Sequence, residues 1–205
     1  MPTIAVIDYG AGNLHSVRRA LEKADAEVLL TADPAKLADA HGVVLPGVGS
    51  AQAAMERLNA LGFSDALREY AQTGRPLLGV CLGMQLFFGP NEEGPTHGLD
   101  LLPGSVVRMN RRSDLKIPHM GWNNLCATRD APLLAGLGSQ EYVYFVHSYQ
   151  VLPERRENVA ATTEYGGELV AVVARDNVMG TQFHPEKSGA VGLRMYAAFV
   201  EAARG

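Results

Sequence analysis

One cysteine, one histidine and one glutamate stand out as residues able to do covalent chemistry together. Cys81 lies in Gly79-Val80-Cys81-Leu82-Gly83, where the apolar run Pro76 to Val80 gives way to a helical segment, Met84 to Phe88. A thiol carried on a sharp strand-to-helix turn stands above a sheet as a nucleophile, and the flanking glycines permit both the turn and the close backbone packing around it. The positive end of the helix dipole also favours the thiolate, the reactive form. Such a nucleophile needs a base to take and return its proton, and the base needs a third group to orient it. His184-Pro185-Glu186 follows the apolar run Val178 to Phe183. Residues two apart in extended chain face the same way, so the Glu186 carboxylate can fix the His184 tautomer and stabilise its imidazolium.

Attack on a carbonyl also requires donors aimed at the developing oxyanion. The N–H of Leu82, next after the nucleophile, is one candidate. The other is the N–H of Val48 in Pro46-Gly47-Val48-Gly49, a loop that on its own reads equally well as a plain turn. In an open α/β sheet, sites gather outside the carboxyl ends of the strands, which brings this loop and Cys81 to one edge. The second cysteine, Cys126, has loop-like surroundings and reads as a small packed hydrophobe.

The elements that must position these groups follow from periodicity. Thr3 to Asp8, Glu27 to Leu30, Gly42 to Leu45 and Pro76 to Cys81 read as strands. Between them, Leu14, Val17, Leu21 and Ala24 recur at helical spacing, and Ala51 to Leu61 and Ser64 to Gln72 read as helices. Strands alternating with helices predict a parallel sheet covered on both faces. From Ser105 onward the pattern changes. Ser105 to Met109, Tyr142 to Tyr149, Val159 to Thr163, Leu169 to Ala174 and Val178 to Phe183 are strand-like with little helix between them, which predicts an antiparallel extension. A helix over Val191 to Ala203 closes the chain.

The bulk composition narrows the possible partners. A length of 205 residues suits one domain spanning 1–205. With 47% hydrophobic and 20% charged residues, the chain is ordinary globular protein, and no apolar run reaches the roughly 20 residues of a membrane span. The net charge of −4 argues against nucleic acid and anionic membrane, since the one basic cluster, Arg108 to Lys116, is short and broken by Asp114. No leader-like segment opens the chain, so the expected location is cytoplasmic, where a disulfide between the two cysteines is not expected. No pairs at zinc-ligand spacing, Walker loop or strand-linked Gly-x-Gly-x-x-Gly are present, which predicts neither metal nor cofactor.

In order and context, Leu45-Pro46-Gly47-Val48-Gly49, Gly79-Val80-Cys81-Leu82-Gly83-Met84-Gln85 and Gln182-Phe183-His184-Pro185-Glu186 resemble the class I glutamine amidotransferases. Asp8-Tyr9-Gly10-Ala11-Gly12-Asn13-Leu14, Pro118-His119-Met120-Gly121-Trp122-Asn123 and Phe145-Val146-His147-Ser148-Tyr149 narrow the resemblance to the glutaminase subunits of imidazole glycerol phosphate synthase. The resemblance implies a flavodoxin-like α/β fold: a central, mainly parallel sheet, helices on both faces and an antiparallel extension. It implies that L-glutamine forms a thioester on Cys81 and that ammonia passes to a (β/α)8 cyclase subunit in a heterodimer. Gly49, Gln85, His147, Ser148 and Tyr149 match the positions that hold glutamine. Asn13, His119, Met120, Trp122, Asn123 and Lys187 match the partner-facing region. Read without the resemblance, Trp122 is a core aromatic in a loop, His147 a strand histidine, Asn13 a turn residue and Lys187 a solvated lysine. Three other readings compete: an ammonia-donating glutaminase of another pathway, a cysteine hydrolase acting alone, and a non-catalytic flavodoxin-like binding module.

Overall fold

A computed structural model of the chain describes residues 1–109 and 115–205; much of the basic stretch Arg108 to Lys116 lies outside the described residues. The first part alternates as the periodicity predicts: β1 (Thr3–Ile7), α1 (Leu14–Lys23), β2 (Glu27–Thr31), β3 (Gly42–Gly47), α2 (Ala51–Ala60), α3 (Phe63–Gln72) and β4 (Leu77–Cys81). β3 and β4 are buried along their whole length, as central parallel strands must be. Alternate residues of β1 serve opposite layers. Ile4 and Val6 pack with Val17 and Leu21 of α1, while Ala5 and Ile7 pack with Leu58 of α2 and Leu67 of α3.

After the short α4 (Leu82–Gln85) come β5 (Pro90–Asn91), β6 (Thr96–His97), β7 (Gly104–Arg108), β8 (His119–Ala127), β9 (Glu141–His147), β10 (Tyr149–Pro153), β11 (Val159–Glu164), β12 (Glu168–Arg175) and β13 (Val178–Thr181), then α5 (Gly189–Ala202). Among the described residues the main sheet runs β2-β1-β3-β4-β13-β12-β11-β8-β9. Its β2-to-β13 half is parallel and its β13-to-β9 half antiparallel. A smaller sheet, β10-β7-β5-β6, stands beside it. The last helix places Met195, Tyr196, Phe199 and Val200 on the α1 face.

Four local expectations are corrected. The helical segment Met84 to Phe88 is a single turn, Leu82–Gln85, followed by tight turns. The Leu86 and Phe87 carbonyls instead accept from Leu99 and from Leu101 and Leu102, so the next loop takes the bonds a longer helix would use. The strand Tyr142 to Tyr149 is two strands, because the chain leaves the main sheet at Ser148 and β10 joins β7. Residues 119–127, read as loop, form a nine-residue strand. Cys126 is on that strand and exposed, so it is not a packed hydrophobe.

Candidate active site

The turn at Cys81 is as sharp as the sequence demands. Cys81 has φ 55° and ψ −108°, in the left-handed half of backbone space that a non-glycine residue enters only when its surroundings enforce it. Those surroundings are the flanking glycines. A Cβ on Gly79 would lie 2.6 Å from the Met84 nitrogen, and one on Gly83 would lie 1.9 Å from the Leu45 carbonyl oxygen. Side chains at either position would push α4 off the sheet. Gly47 of β3 pairs with Cys81 of β4, which brings Val48 and Gly49 to the same edge as the thiol. Beneath them the buried Tyr9 hydroxyl donates to the Pro46 carbonyl at 3.0 Å, and burial, reinforced by Cys81 nearby, pushes its pKa up.

β13 is the parallel neighbour of β4 on the other side, so the chain beyond it delivers His184 to the same edge. The histidine is fixed from several directions. Its backbone N–H donates to the Tyr144 carbonyl at 3.0 Å, and the Ser188 hydroxyl donates to the His184 carbonyl while accepting from the Tyr144 N–H. His184 Nδ1 lies 2.8 Å from Glu186 Oε1, and both side chains are almost fully buried. Burial alone would drive His184 toward neutrality, but Cys81 and Glu186 outweigh it and raise its pKa to about 9. That balance favours the imidazolium over the neutral ring. Its Nε2 is buried without a hydrogen-bond partner among the described residues. Tyr196 of α5 is buried against Glu186, and burial and that carboxylate both keep it protonated.

Cys81 and His184 open into a cleft of about 380 Å³. Val48, Gly49, Leu82, Gln85, His147, Ser148 and Tyr149, all singled out in the sequence, line it. Glu186 stands behind His184 and does not. The sheet switch between β9 and β10 is what raises His147, Ser148 and Tyr149 into the cleft wall. Glu93, Pro118, Val146 and Lys187 complete the lining. Glu93, overlooked in the sequence, receives the Ala51 N–H at the start of α2 on its Oε2 at 2.8 Å and so brings a carboxyl group, held in place, to the cleft. No motif marks it, because it reaches the cleft from the β5–β6 hairpin, far along the chain from the thiol. Gln182, which touches the sulfur, was legible only as a member of a motif.

The expected partner-facing residues divide. Along β8, Met120 is 62% and Trp122 57% exposed, whereas His119 is 2% exposed. His119 is thus a correction: strand alternation turns it inward. Its Nδ1 lies 3.0 Å from His147 Nε2, and its ring stacks between Phe145 and Tyr165. Asn123 also turns from the surface, donating to the Glu164 carbonyl at 2.9 Å and lying 3.2 Å from His119 Nε2. Because His147 Nδ1 faces the Tyr149 carbonyl, which can only accept, the chain of bonds has one direction, from Asn123 through His119 and His147 to Tyr149. Burial lowers both histidine pKa values to about 4. Asn13 caps α1, accepting from the Ser16 N–H at 3.4 Å. Lys187 is exposed, with its Nζ 5.9 Å from the centre of the Tyr144 ring.

Comparison with known proteins shows the family and the fold. Residues 5–202 match the sequence model of the family described as glutamine amidotransferase class-I. The imidazole glycerol phosphate synthase subunit HisH of Halobacterium salinarum is 53% identical over 207 residues, covering 97% of this chain and 93% of that protein. The subunit of the same name from Geobacillus thermodenitrificans is 52% identical over 205 residues, covering 98% and 96%. Among solved structures, PurLQS from Thermotoga maritima has a TM-score of 0.76 at 21% identity, covering 98% of each chain, and a glutamine amidotransferase has 0.77 at 20%, covering 98% and 99%. At that identity these two structures speak to the fold alone. With a family match over nearly its whole length and relatives at half identity, the chain belongs to the class I glutamine amidotransferase family, among the HisH subunits of imidazole glycerol phosphate synthase.

Proposed function

We propose that the chain hydrolyses L-glutamine to glutamate and ammonia through a thioester on Cys81. The ammonia passes to a cyclase subunit, a (β/α)8 barrel, which forms imidazole glycerol phosphate and an aminoimidazole carboxamide ribonucleotide in histidine biosynthesis. The observation that carries this reading is the strained turn that holds Cys81 beside the buried His184–Glu186 pair at the floor of an amino-acid-sized cleft.

The steps follow from the positions of the groups. The Cys81 thiolate attacks the carboxamide carbon of glutamine, and the Leu82 and Val48 N–H groups receive the oxyanion. The His184 imidazolium protonates the nitrogen as the carbon–nitrogen bond breaks, leaving a glutamyl thioester, ammonia and a neutral imidazole. That imidazole takes a proton from water as its oxygen attacks the thioester, and the sulfur leaves as thiolate beside a restored imidazolium. Glu186 holds the ring in place throughout. Gly49, Gln85, His147, Ser148 and Tyr149 line the space for the amino-acid end, and the Glu93 carboxylate suits its ammonium group. A cytoplasmic location fits a nucleophile that must stay a free thiol.

The exposed Met120, Trp122 and Tyr142 of β8 and β9 form the docking face for the cyclase, with Lys187 at the boundary between that face and the cleft. Exposed aromatic and methionine side chains of this kind are enriched at protein interfaces. The test is labelling by diazo-oxo-norleucine, a glutamine-like electrophile, in the complex with the cyclase. The label is expected on Cys81 and excess glutamine should prevent it; label on Cys126, or none, would contradict the assignment.

A further inference from the structure

Gln182 immediately follows β13 and is completely buried. Its backbone N–H donates to the Ala171 carbonyl at 2.9 Å, so its backbone is held to β12 while its side chain is directed toward Cys81. The side-chain Nε2 lies 3.7 Å from Cys81 Sγ, and the Oε1 lies 3.0 Å from Gln85 Nε2. The same Gln85 nitrogen is 3.2 Å from the Tyr149 carbonyl.

These contacts have only one polarity. A carbonyl can only accept, so Gln85 must turn its NH2 toward Tyr149, and that NH2 also supplies the hydrogen received by Gln182 Oε1. Gln182 is thereby left with its own NH2 facing the sulfur. The sulfur has a second contact, the Val146 carbonyl at 4.0 Å, which a thiol S–H can donate to and a thiolate cannot use. The surroundings thus offer an acceptor for the thiol and a donor for the thiolate. Burying an amide is costly unless it is bonded, and among the described residues the bonds this amide makes are with Gln85 and with the sulfur.

We propose that Gln182 is a catalytic residue of this chain, whose side-chain N–H donates to the Cys81 sulfur and stabilises it as thiolate, both before attack and when sulfur leaves the thioester. The proposal rests on Cys81 being the nucleophile. A neutral donor bonds a charged acceptor about twice as strongly as a neutral one, so the bond favours thiolate over thiol or thioester. The titratable and charged groups facing Cys81 are His184 from the segment after β13, with Glu186 behind it, Tyr9 from the end of β1, His147 from β9, and Glu93 and Lys187 at the cleft mouth. None of these is replaced when Gln182 is changed, so they form a constant background.

Removing the donor has two opposed consequences. If it shifts the thiol–thiolate equilibrium about tenfold, the freed thiolate becomes only about threefold more nucleophilic, because nucleophilicity follows basicity with a slope near one half. The experiment is the pH profile of iodoacetamide alkylation of Cys81 in the full chain with Cys126→Ser, comparing Gln182 with Gln182→Met, which keeps the volume and loses the donor. On the acidic, rising limb the variant should react about threefold more slowly, and on the alkaline plateau about threefold faster, so the profiles cross. Gln85→Met, which releases the orientation of Gln182, should cross in the same sense by a smaller factor and serves if Gln182→Met does not fold. Superimposable profiles, or a uniform slowing at every pH, would overturn the proposal and leave Gln182 a packing residue. Failure of the nucleophile assignment looks different: Cys81 in the parent chain would then react no faster than an unfolded thiol at any pH.

Discussion

Gly83 shows how little room the nucleophile's surroundings allow. With 1.9 Å between a hypothetical Cβ and the Leu45 carbonyl oxygen, this glycine is the condition for α4 to lie against β3 and for Cys81 to hold its positive φ. Two buried histidines at this scale also give stability a definite dependence on pH. His119 and His147 are lowered to about 4 from the ordinary 6.5 of a free imidazole, so the unfolded chain binds more protons between those values and stability falls as pH drops through that window. The measurement is Tm against pH for the parent chain and His119→Gln. Relative to the variant the parent should lose stability from pH 6.5 to 4. Parallel curves would mean these rings do not titrate as their surroundings imply.

At the scale of elements, β8 carries both what the sequence concealed and what it disclosed. Strands β1, β3 and β4 were legible because both of their faces are buried and they read as apolar runs. β8 was not, because its outward residues, Met120 and Trp122, are apolar while its inward ones include His119 and Asn123, the reverse of an ordinary half-buried strand. The grouping of Cys81 with His184 and Glu186 was legible because Cys81 is bracketed by glycines and His184 and Glu186 stand two residues apart. The contribution of Glu93 was not, because it arrives through a hairpin that pairs in a different sheet. The inversion of β8 leads to a prediction. Trp122 touches the Tyr144 ring edge-on and is otherwise largely open, so Trp122→Ala should leave Tm within about the equivalent of 0.5 kcal/mol, as surface changes do. Its affinity for the cyclase should fall by roughly thirtyfold, the loss of an interface anchor of about 2 kcal/mol. Titration calorimetry with the isolated cyclase checks this, and unchanged affinity would place the interface elsewhere.

Over the whole molecule, the parallel half of the sheet and the antiparallel half do different work. The parallel half brings the ends of β3, β4 and β13 to one edge, where Val48, Cys81 and His184 meet. The antiparallel half ends in β8 and β9, which offer an apolar face outward and send His147 into the cleft wall. Ser188 links the halves, bonding the backbone of β9 to that of His184. This layout suits a hydrolase whose product is handed to a partner rather than released. The most direct test is synthesis by the complex of Cys81→Ala with the cyclase, assayed once with glutamine and once with ammonium salts as nitrogen source. Glutamine-dependent synthesis should disappear while ammonia-dependent synthesis continues at the rate of the parent complex. Persistence of glutamine-dependent synthesis, or loss of both activities in a correctly assembled complex, would contradict the account.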